Sequence, residues 1–73
     1  MTLNEQKIDQ AALALLWLTL HDGYRVWKSV DWNVMDRLHE KGMISNPANR
    51  NKSVVLTDEG LQEAERLARK LFS

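Results

Sequence analysis

The stretch DRLHEKGMISNPANRNKSVVLTDEGL, residues 36–61, decides the fold of this chain. It starts with the end of a helix, which Gly42 is expected to stop because glycine readily takes the left-handed conformation. Two short apolar segments follow, Met43–Ile44 and Val54–Leu56, and their β-branched residues predict paired strands. The nine residues between them, SNPANRNKS (residues 45–53, hereafter the wing), are rich in turn formers. We expect the wing to be exposed and mobile.

Three helix starts share one pattern, in which an apolar residue precedes a polar cap and a second apolar residue follows at the fourth helical position. Such a cap accepts a bond from a free backbone N–H, and the two apolar residues form a hydrophobic staple. The predicted caps are Asn4, Asp31 and Thr57, stapled by Leu3 with Ile8, Val30 with Met35, and Leu56 with Leu61. Gly23 is expected to follow the end of the first helix. Gly60 lies inside the last helix, where close approach of another backbone or a packed ring would account for it.

Between the first two helices, Tyr24 to Val30 alternates in the manner of a short strand. The predicted order is therefore helix, short strand, helix, strand, wing, strand, helix. This is an α+β fold, mainly α. The chain contains no internal repeat and no linker, so residues 1–73 are predicted to form a single domain.

Length and composition limit the class of protein. A chain of 73 residues without cysteine has a small core and no disulfide to reinforce it. The N-terminal sequence MTLNEQKIDQ lacks the pattern of an export signal, so we expect a cytoplasmic protein. The longest apolar run, Ala11 to Leu18, is shorter than the roughly 20 residues of a membrane span, so no membrane partner is expected. A net charge of zero argues against a protein whose main task is to neutralise phosphates.

The first helix is the element that predicts a partner. From Ala11 to Leu20 only Thr19 is polar, so apolar side chains surround the helix and more than one side must be covered. One face can pack on the other helices, and a second face can pack on another copy of the chain, which predicts a symmetric homodimer. The candidate interface residues are Leu13, Trp17 and Leu20. In the alternative, Trp27 and the C-terminal Leu71–Phe72 cover that face within one monomer.

The polar residues do not predict catalysis. Acid-base or nucleophilic chemistry requires a reactive group that a neighbour orients, usually in a pocket. His21 and Asp22 are expected at the end of the first helix and His39 near the end of the second, where an imidazolium favours the negative end of the dipole. Two histidines without cysteine do not form a zinc ligand set. We therefore predict no catalytic residue, no metal and no cofactor.

Residues 34–62 carry a resemblance. The sequence DRLHEKGMI, followed by the wing and VVLTDEGL, is similar to the recognition-helix end, wing and following helix of MarR-like winged-helix proteins. The resemblance implies a winged-helix-like domain that holds DNA with its second helix and wing. The residues that would contact nucleic acid are Arg37, Lys41, Arg50 and Lys52. A full module also has a helix that braces the recognition helix, whereas only Tyr24 to Val30 precede the second helix here, so the module is reduced.

Three longer segments, KIDQAALALLWLTLHD, VDWNVMDRLHEKGMIS and NKSVVLTDEGL, resemble a family of short uncharacterised bacterial proteins known as a domain of unknown function. That resemblance implies no particular activity. Together these features predict a small, non-enzymatic, homodimerising protein-interaction module, which presents its wing or its Trp27–Trp32 edge to a protein partner. The alternative is a DNA-binding module of the transcription-regulator type.

Overall fold

The computed structural model describes residues 3–73. Its elements, in chain order, are α1 (Glu5–Trp17), β1 (Arg25–Trp27), α2 (Trp32–Glu40), β2 (Ser53–Val55) and α3 (Asp58–Phe72). The predicted α+β, mainly α class is confirmed, and the arrangement of the elements is compatible with a winged-helix-like fold. Among residues 3–73, none of the helices could span a membrane.

All three predicted caps are confirmed, because each side chain accepts a backbone N–H of the first turn. The donors and distances are Lys7 N to Asn4 Oδ1 at 3.2 Å, Asn33 N to Asp31 Oδ2 at 3.0 Å, and Gly60 N to Thr57 Oγ1 at 2.9 Å. These bonds satisfy N–H groups that have no partner inside a helix. The local sequence therefore fixes where each helix begins.

The predicted end of the first helix is wrong, because α1 stops at Trp17. Backbone N–H groups of the next residues bond to carbonyls three residues earlier, which tightens the last turn. The chain then reverses through Asp22 and Gly23, both with positive φ. His21 and Arg25 exchange two backbone hydrogen bonds of 2.9 Å. His21 and Asp22 thus belong to a hairpin turn and not to a helix end, because pairing with β1 replaces the helical bonds.

The sheet pairs β1 with β2 in antiparallel register, with Val26 opposite Val54. The strand predicted at Met43–Ile44 is reduced to one bridge, Ile44 to Leu56, beside a 2.8 Å bond from Ser45 N to the Val55 carbonyl. The main ladder therefore joins segments far apart in sequence, and the predicted pairing across the wing is only a short extension of it. Val26, Val54 and Ile44 bury their side chains against the helices.

The outer edge of β1 is occupied by the segment that follows α1. Arg25 N–H donates to the His21 carbonyl at 2.9 Å, and Trp27 N–H donates to Thr19 Oγ1 at 3.0 Å. Thr19 Oγ1 in turn donates to the Leu16 carbonyl at 2.8 Å, which ties this edge to the end of α1. Both outward N–H groups of β1 consequently have partners in the same chain.

The start of α3 lies against the backbone that follows α2. A Cβ added at Gly60 would lie 1.9 Å from the Met43 carbonyl oxygen, so only glycine allows this approach. Thr57 holds the two segments together: its N–H donates to the Met43 carbonyl at 3.0 Å, and its hydroxyl donates to the Gly42 carbonyl at 2.6 Å. The close backbone approach predicted from the sequence at Gly60 is confirmed.

The core lies between α1, α3 and the inner face of the sheet, with α2 closing one side. Small residues allow α1 and α3 to approach, and larger ones fill the remaining space. The buried side chains are Ala12, Leu13, Ala14 and Leu16 of α1, Val34, Met35 and Leu38 of α2, Ala64, Leu67 and Ala68 of α3, and Val26, Ile44, Val54 and Leu56 of the strands and bridge.

Candidate interaction surfaces

A buried carboxylate joins α1 to α2. Asp9 on α1 is 2% exposed. Arg37 of α2 donates through Nε to both carboxylate oxygens, at 3.0 and 2.9 Å, and through Nη2 to Oδ1 at 2.8 Å. Lys41, one turn later, donates to Oδ2 at 2.8 Å. Glu5, which is exposed, accepts from Arg37 Nη1 at 3.2 Å on the solvent side. We call these four residues the Asp9 cluster.

The Asp9 cluster fixes the charge of its central carboxylate. Burial by itself would raise the pKa of Asp9, because it disfavours the charged form. Hydrogen bonds from Arg37 and Lys41, together with their positive charges, outweigh burial and hold the pKa of Asp9 below its ordinary value of 3.8. Asp9 is therefore ionised at neutral pH, and its negative charge is matched by two cations.

The Asp9 cluster contains two of the four residues that were predicted to contact nucleic acid. Arg37 and Lys41 were expected to face phosphates, but both side chains are held by the carboxylate of α1. Phosphate contact by Arg37 would compete with a bidentate bond to a buried carboxylate, which is among the strongest side-chain interactions. The other two candidates, Arg50 and Lys52, are exposed on the wing.

The wing is held in place more firmly than its composition predicted. Pro47 is fully buried. The ammonium group of Lys28 donates to the Pro47 carbonyl at 2.8 Å and to the carbonyl and side-chain oxygens of Asn49 at 3.0 Å each. Asn46 and Asn49 also accept backbone N–H groups within the loop. A cation from the end of β1 thus fastens the loop that the sequence suggested would be mobile.

The predicted dimer face on α1 requires a correction. Leu13 is 2% exposed and belongs to the core of its own chain. Trp17 and Leu20 are partly buried and pack against that core. The exposed apolar side chains at this end of α1 are instead Leu15 and Leu18, at 49% and 60%. The apolar excess of α1 was read correctly, but α3 covers the face that holds Leu13.

A second exposed apolar pair ends α3. Leu71 and Phe72 are each 50% exposed, so they do not seal α1 within one monomer. The guanidinium of Arg69 lies 5.9 Å from the ring centroid of Trp17, and this contact brings the C-terminal ends of α1 and α3 together. We call the four exposed side chains Leu15, Leu18, Leu71 and Phe72 the helix-end patch.

The two histidines are engaged in local contacts. His21 stacks on the half-exposed Trp27, with ring centroids 4.3 Å apart, and its Nδ1 lies 2.9 Å from the Thr19 carbonyl oxygen. Nδ1 of His39 lies 3.0 Å from the Ile44 carbonyl oxygen. Within residues 3–73 no group of three His, Cys, Asp or Glu side chains could hold a metal ion.

A groove of about 330 Å³ opens where α1, α3 and the end of α2 meet. Its apolar walls are Leu13, Leu38, Met43 and Leu67. Asp9 and Lys41 of the Asp9 cluster form one polar side, and Gln6, Gln10 and Glu63 form the remainder of the rim. Leu13, Leu38 and Leu67 are only 2 to 3% exposed, so the groove offers a ligand little apolar contact.

Comparison with known proteins places the chain in a family. Residues 4–73 match the family model described as "Domain of unknown function (DUF6429)". The chain belongs to this family. The DUF6429 chain is also 58% identical over 73 residues to a protein of Sinorhizobium fredii called "Uncharacterized protein y4hR", and the match covers 100% of this chain and 99% of that protein. No solved structure matches it. The predicted membership in a family of short bacterial proteins of unknown function is confirmed.

Asp9 is the residue of this DUF6429 chain that the sequence analysis overlooked. A signal was present, because Asp9 lies three residues before Ala12 and four before Leu13, on the stripe of α1 that faces the core. A charge on such a stripe requires a partner when buried. Arg37 and Lys41, four residues apart on α2, offered two cations on one helix face.

Proposed function

We propose that this chain is a homodimerising protein-interaction module without catalytic activity, and that two copies meet through the helix-end patch. The observation that carries the proposal is the exposure of four large apolar side chains where α1 and α3 end. Clusters of large exposed apolar side chains mark interaction sites more often than isolated ones do. A second copy of the chain is the simplest occupant, because a two-fold axis lets the same patch cover itself.

The small size of the chain supports the same proposal. A domain of 73 residues buries a smaller fraction of its surface on folding than a larger domain does, so association adds burial that the monomer lacks. The outer edge of β1 already has its hydrogen-bond partners, so side-chain packing is the better route to a second copy. The bonded histidines support the absence of catalysis in the proposal, since within residues 3–73 neither is hydrogen-bonded to a second titratable side chain.

The dimer is tested by mass in solution. Light scattering on the wild-type chain at micromolar concentration is expected to give about twice the chain mass of 8.5 kDa. Leu18→Glu places a charge within the helix-end patch, where pairing of two copies would bury it, and is expected to give the monomer mass. Leu18 is 60% exposed, so the variant keeps the fold of the protomer.

Leu3→Glu is the matched control, because Leu3 is also an exposed leucine but lies before the start of α1, about 20 Å from Leu18 along the helix. This variant is expected to remain dimeric. A wild-type chain that is monomeric over the whole concentration series, or a Leu3→Glu variant that dissociates as readily as Leu18→Glu, would remove the helix-end patch as the dimer surface.

Duplex DNA binding is the second candidate function, and the observation that favours it is the exposed wing with its two basic residues. Arg50 and Lys52 make no ion pair among residues 3–73, so each could neutralise a phosphate. Two phosphate contacts would give only weak binding to DNA. Each contact contributes about −0.9 to the slope of log affinity against log salt. Arg37 and Lys41 on α2 are held by Asp9, so they add little to the number of phosphate contacts.

We expect the wild-type chain not to bind duplex DNA at about 0.15 M salt, so the fluorescence anisotropy of a labelled duplex should not rise when the protein is added. A salt series then discriminates between the two candidate functions. Binding that weakens steeply with salt and is lost in the double variant Arg50→Gln/Lys52→Gln would favour the DNA-binding module. Arg66→Gln/Lys70→Gln, which removes two cations from α3 and leaves the wing intact, is the control for net charge.

A further inference from the structure

The outer face of the sheet, which points away from the helices, presents a tryptophan. The central residue of each strand is buried against the helices, so the flanking residues of the strands point outward. The four outward positions are Arg25 and Trp27 of β1 and, opposite them, Val55 and Ser53 of β2. None of the four is acidic. Trp27 is 48% exposed, so this face offers a large aromatic ring to a partner.

The indole ring of Trp27 is supported from one side. His21, in the hairpin turn before β1, stacks on it with ring centroids 4.3 Å apart and the two planes 22° from parallel. The backbone N–H of Trp27 donates to Thr19 Oγ1 at 3.0 Å. About half of Trp27 remains exposed, which leaves room for a second flat ring to stack on the indole. A ring that is already held in place loses little freedom when it binds a ligand.

Positive charge is concentrated around this ring. The sheet and its flanking segments, residues 19–28 and 45–55, contain four basic residues and one acidic residue, a net charge of +3, while the remainder of the chain has a net charge of −3. The four basic residues are Arg25, Lys28, Arg50 and Lys52. Within residues 3–73 none of the four makes an ion pair. The Lys28 ammonium donates to uncharged oxygens of the wing, so its charge is not neutralised.

The two ends of the sheet differ in charge. Asp22 lies in the hairpin turn before β1 and Asp58 at the start of α3, so both are near the end of the sheet where Arg25 pairs with Val55. The wing joins the opposite end, where the Lys28 N–H donates to the Lys52 carbonyl at 2.9 Å. Trp27 is at this basic end of the sheet. A polyanion would therefore be attracted to Trp27 and the wing.

Trp32 is also exposed, but its surroundings do not favour an anion. It follows Asp31 directly, and Asp36 lies one turn later on the same face of α2. Both aspartates are exposed. Trp32 is therefore left out of the site, which consists of Trp27 and the basic residues of the wing.

Single-stranded nucleic acid is the partner whose chemistry matches this site. Its unpaired bases stack on aromatic side chains, and its phosphates are neutralised by lysine and arginine. In a duplex the bases stack on one another, so their faces are not available to Trp27. An extended acidic peptide fits less well, because strand addition needs the outward N–H groups of β1, which have partners in the same chain.

We propose that the outer face of the sheet binds single-stranded nucleic acid, with one base stacked on Trp27 and the neighbouring phosphates held by Arg50 and Lys52. Stacking adds to the two phosphate contacts, which by themselves give only weak binding. The site goes beyond the proposed function and does not rest on it, because the helix-end patch lies elsewhere, at the ends of α1 and α3. The monomeric Leu18→Glu variant is expected to bind a single strand as the wild type does.

The probe is an oligothymidylate of about eight nucleotides, a length within the range that single-strand-binding domains cover. In a two-dimensional NMR titration at neutral pH and about 0.05 M salt, it is expected to shift the indole N–H resonance of Trp27 and to saturate. The indole N–H of Trp17, which packs against the core, is the internal control and should not shift. Absence of a saturable shift at Trp27 would overturn the proposal.

Three comparison ligands identify what is recognised. An abasic oligomer of the same length and a DNA hairpin with a fully paired stem are both expected to bind about tenfold more weakly, since neither offers a free base to the ring. An acidic peptide of the same charge is expected to bind more weakly too. Equal binding of the abasic oligomer would indicate a general polyanion site, equal binding of the hairpin a duplex site on the wing, and equal binding of the peptide a protein partner. Each of these results would overturn the proposal.

Variants of Trp27 test the stacking. Trp27→Leu keeps an apolar side chain but removes the ring, and is expected to weaken oligothymidylate binding about tenfold. Trp27→Phe retains a ring and is expected to bind more tightly than Trp27→Leu. Phe72→Leu, the same kind of change at an exposed aromatic residue of the helix-end patch, is the control and should leave binding unchanged. Wild-type affinity in a folded Trp27→Leu variant would rule out stacking on this ring.

The wing is tested through salt dependence, which also serves if Trp27→Leu does not fold. For the double variant Arg50→Gln/Lys52→Gln, the slope of log affinity against log salt is expected to become shallower by about 1.4, at about 0.7 for each phosphate contact on a single strand. Both residues are exposed, so the fold should be retained. Arg66→Gln/Lys70→Gln is again the control for net charge and should keep the wild-type slope. An unchanged slope in the wing variant would contradict the proposal.

Discussion

Gly60→Ala is expected to lower the free energy of unfolding by about 3 kcal/mol, the upper part of the range for overpacking a tight site. The added methyl group would lie 1.9 Å from the Met43 carbonyl oxygen, which is backbone and cannot rotate away. Shifting it would also strain the 3.0 Å bond that Thr57 N donates to that carbonyl. Each kcal/mol lowers Tm by about 4–8 °C in a domain of this size, so the loss is large enough for thermal unfolding to measure.

The sign of this change is as informative as its size, because alanine normally stabilises a helix interior over glycine by about 1 kcal/mol. Gly42→Ala is a suitable comparison. That residue has a φ of 78°, but a Cβ there meets only the end of the Glu59 side chain at 4.0 Å. Its expected cost is that of the left-handed backbone, about 1–2 kcal/mol. A Gly60→Ala variant as stable as the wild type would mean that α3 does not approach Met43 as described.

Asp9→Asn is expected to cost about 3 kcal/mol at neutral pH, near the lower end of the range for a broken buried ion pair. The lower end applies because Arg37 and Lys41 can still reach water after the carboxylate is neutralised. Chemical denaturation at one fixed protein concentration gives the difference in free energy of unfolding. Glu5→Gln, the same change of acid to amide on the exposed partner of Arg37, is the control and should cost less than about 1 kcal/mol.

The pH dependence of the same pair of proteins provides a second test. The pKa of Asp9 lies below its ordinary value of 3.8 in the folded protein, so the unfolded chain binds a proton before the folded one does. The stability that Asp9 contributes is complete above that ordinary value and is lost as pH falls through the lower, folded pKa. The difference between wild type and Asp9→Asn should therefore shrink below pH 3.8. If the difference stays constant down to about pH 2, the ionised carboxylate of Asp9 does not contribute to stability.

Features set by neighbouring residues were predictable from the sequence. The caps at Asn4, Asp31 and Thr57 depend on bonds to residues two or three positions away, and all three were predicted. Gly42 takes the positive φ expected of a residue that stops a helix. The order of the three helices followed from these local signals. Gly60 was also marked correctly, since a glycine inside an amphipathic helix has a local cost that only a distant contact can offset.

Features set by distant contacts were not predictable in the same way. α1 was expected to continue toward Gly23, because nothing between Trp17 and His21 breaks a helix. It stops early because His21 pairs with Arg25 in a tight hairpin. The partner of β2 was placed at Met43–Ile44, the nearest apolar segment, whereas the register of the sheet joins β2 to β1. Pairing of this kind is decided by burial of both strands and not by proximity in the sequence.

The candidate surfaces show the same division. The apolar excess of α1 was visible in its composition, but the side that α3 covers depends on how the two helices dock. Leu13 was therefore predicted to be exposed and is buried, whereas Leu15 and Leu18 are the exposed leucines. Arg37 and Lys41 were recognised as basic residues of α2, while their attachment to Asp9 spans 28 and 32 residues of sequence. A positively charged side chain on a predicted helix therefore says little about ligands until its own carboxylate neighbours are known.

The segment folded against β1 protects the edge of the sheet from pairing with other chains. A two-stranded sheet of three-residue strands would ordinarily offer its flank to any extended peptide, and intermolecular ribbons grow from such flanks. Here the hydroxyl of Thr19 and the carbonyl of His21 occupy the donors that an incoming strand would use. Thr19→Val would free the Trp27 N–H, so we expect this variant to be more prone to fibrillar aggregation than the wild type.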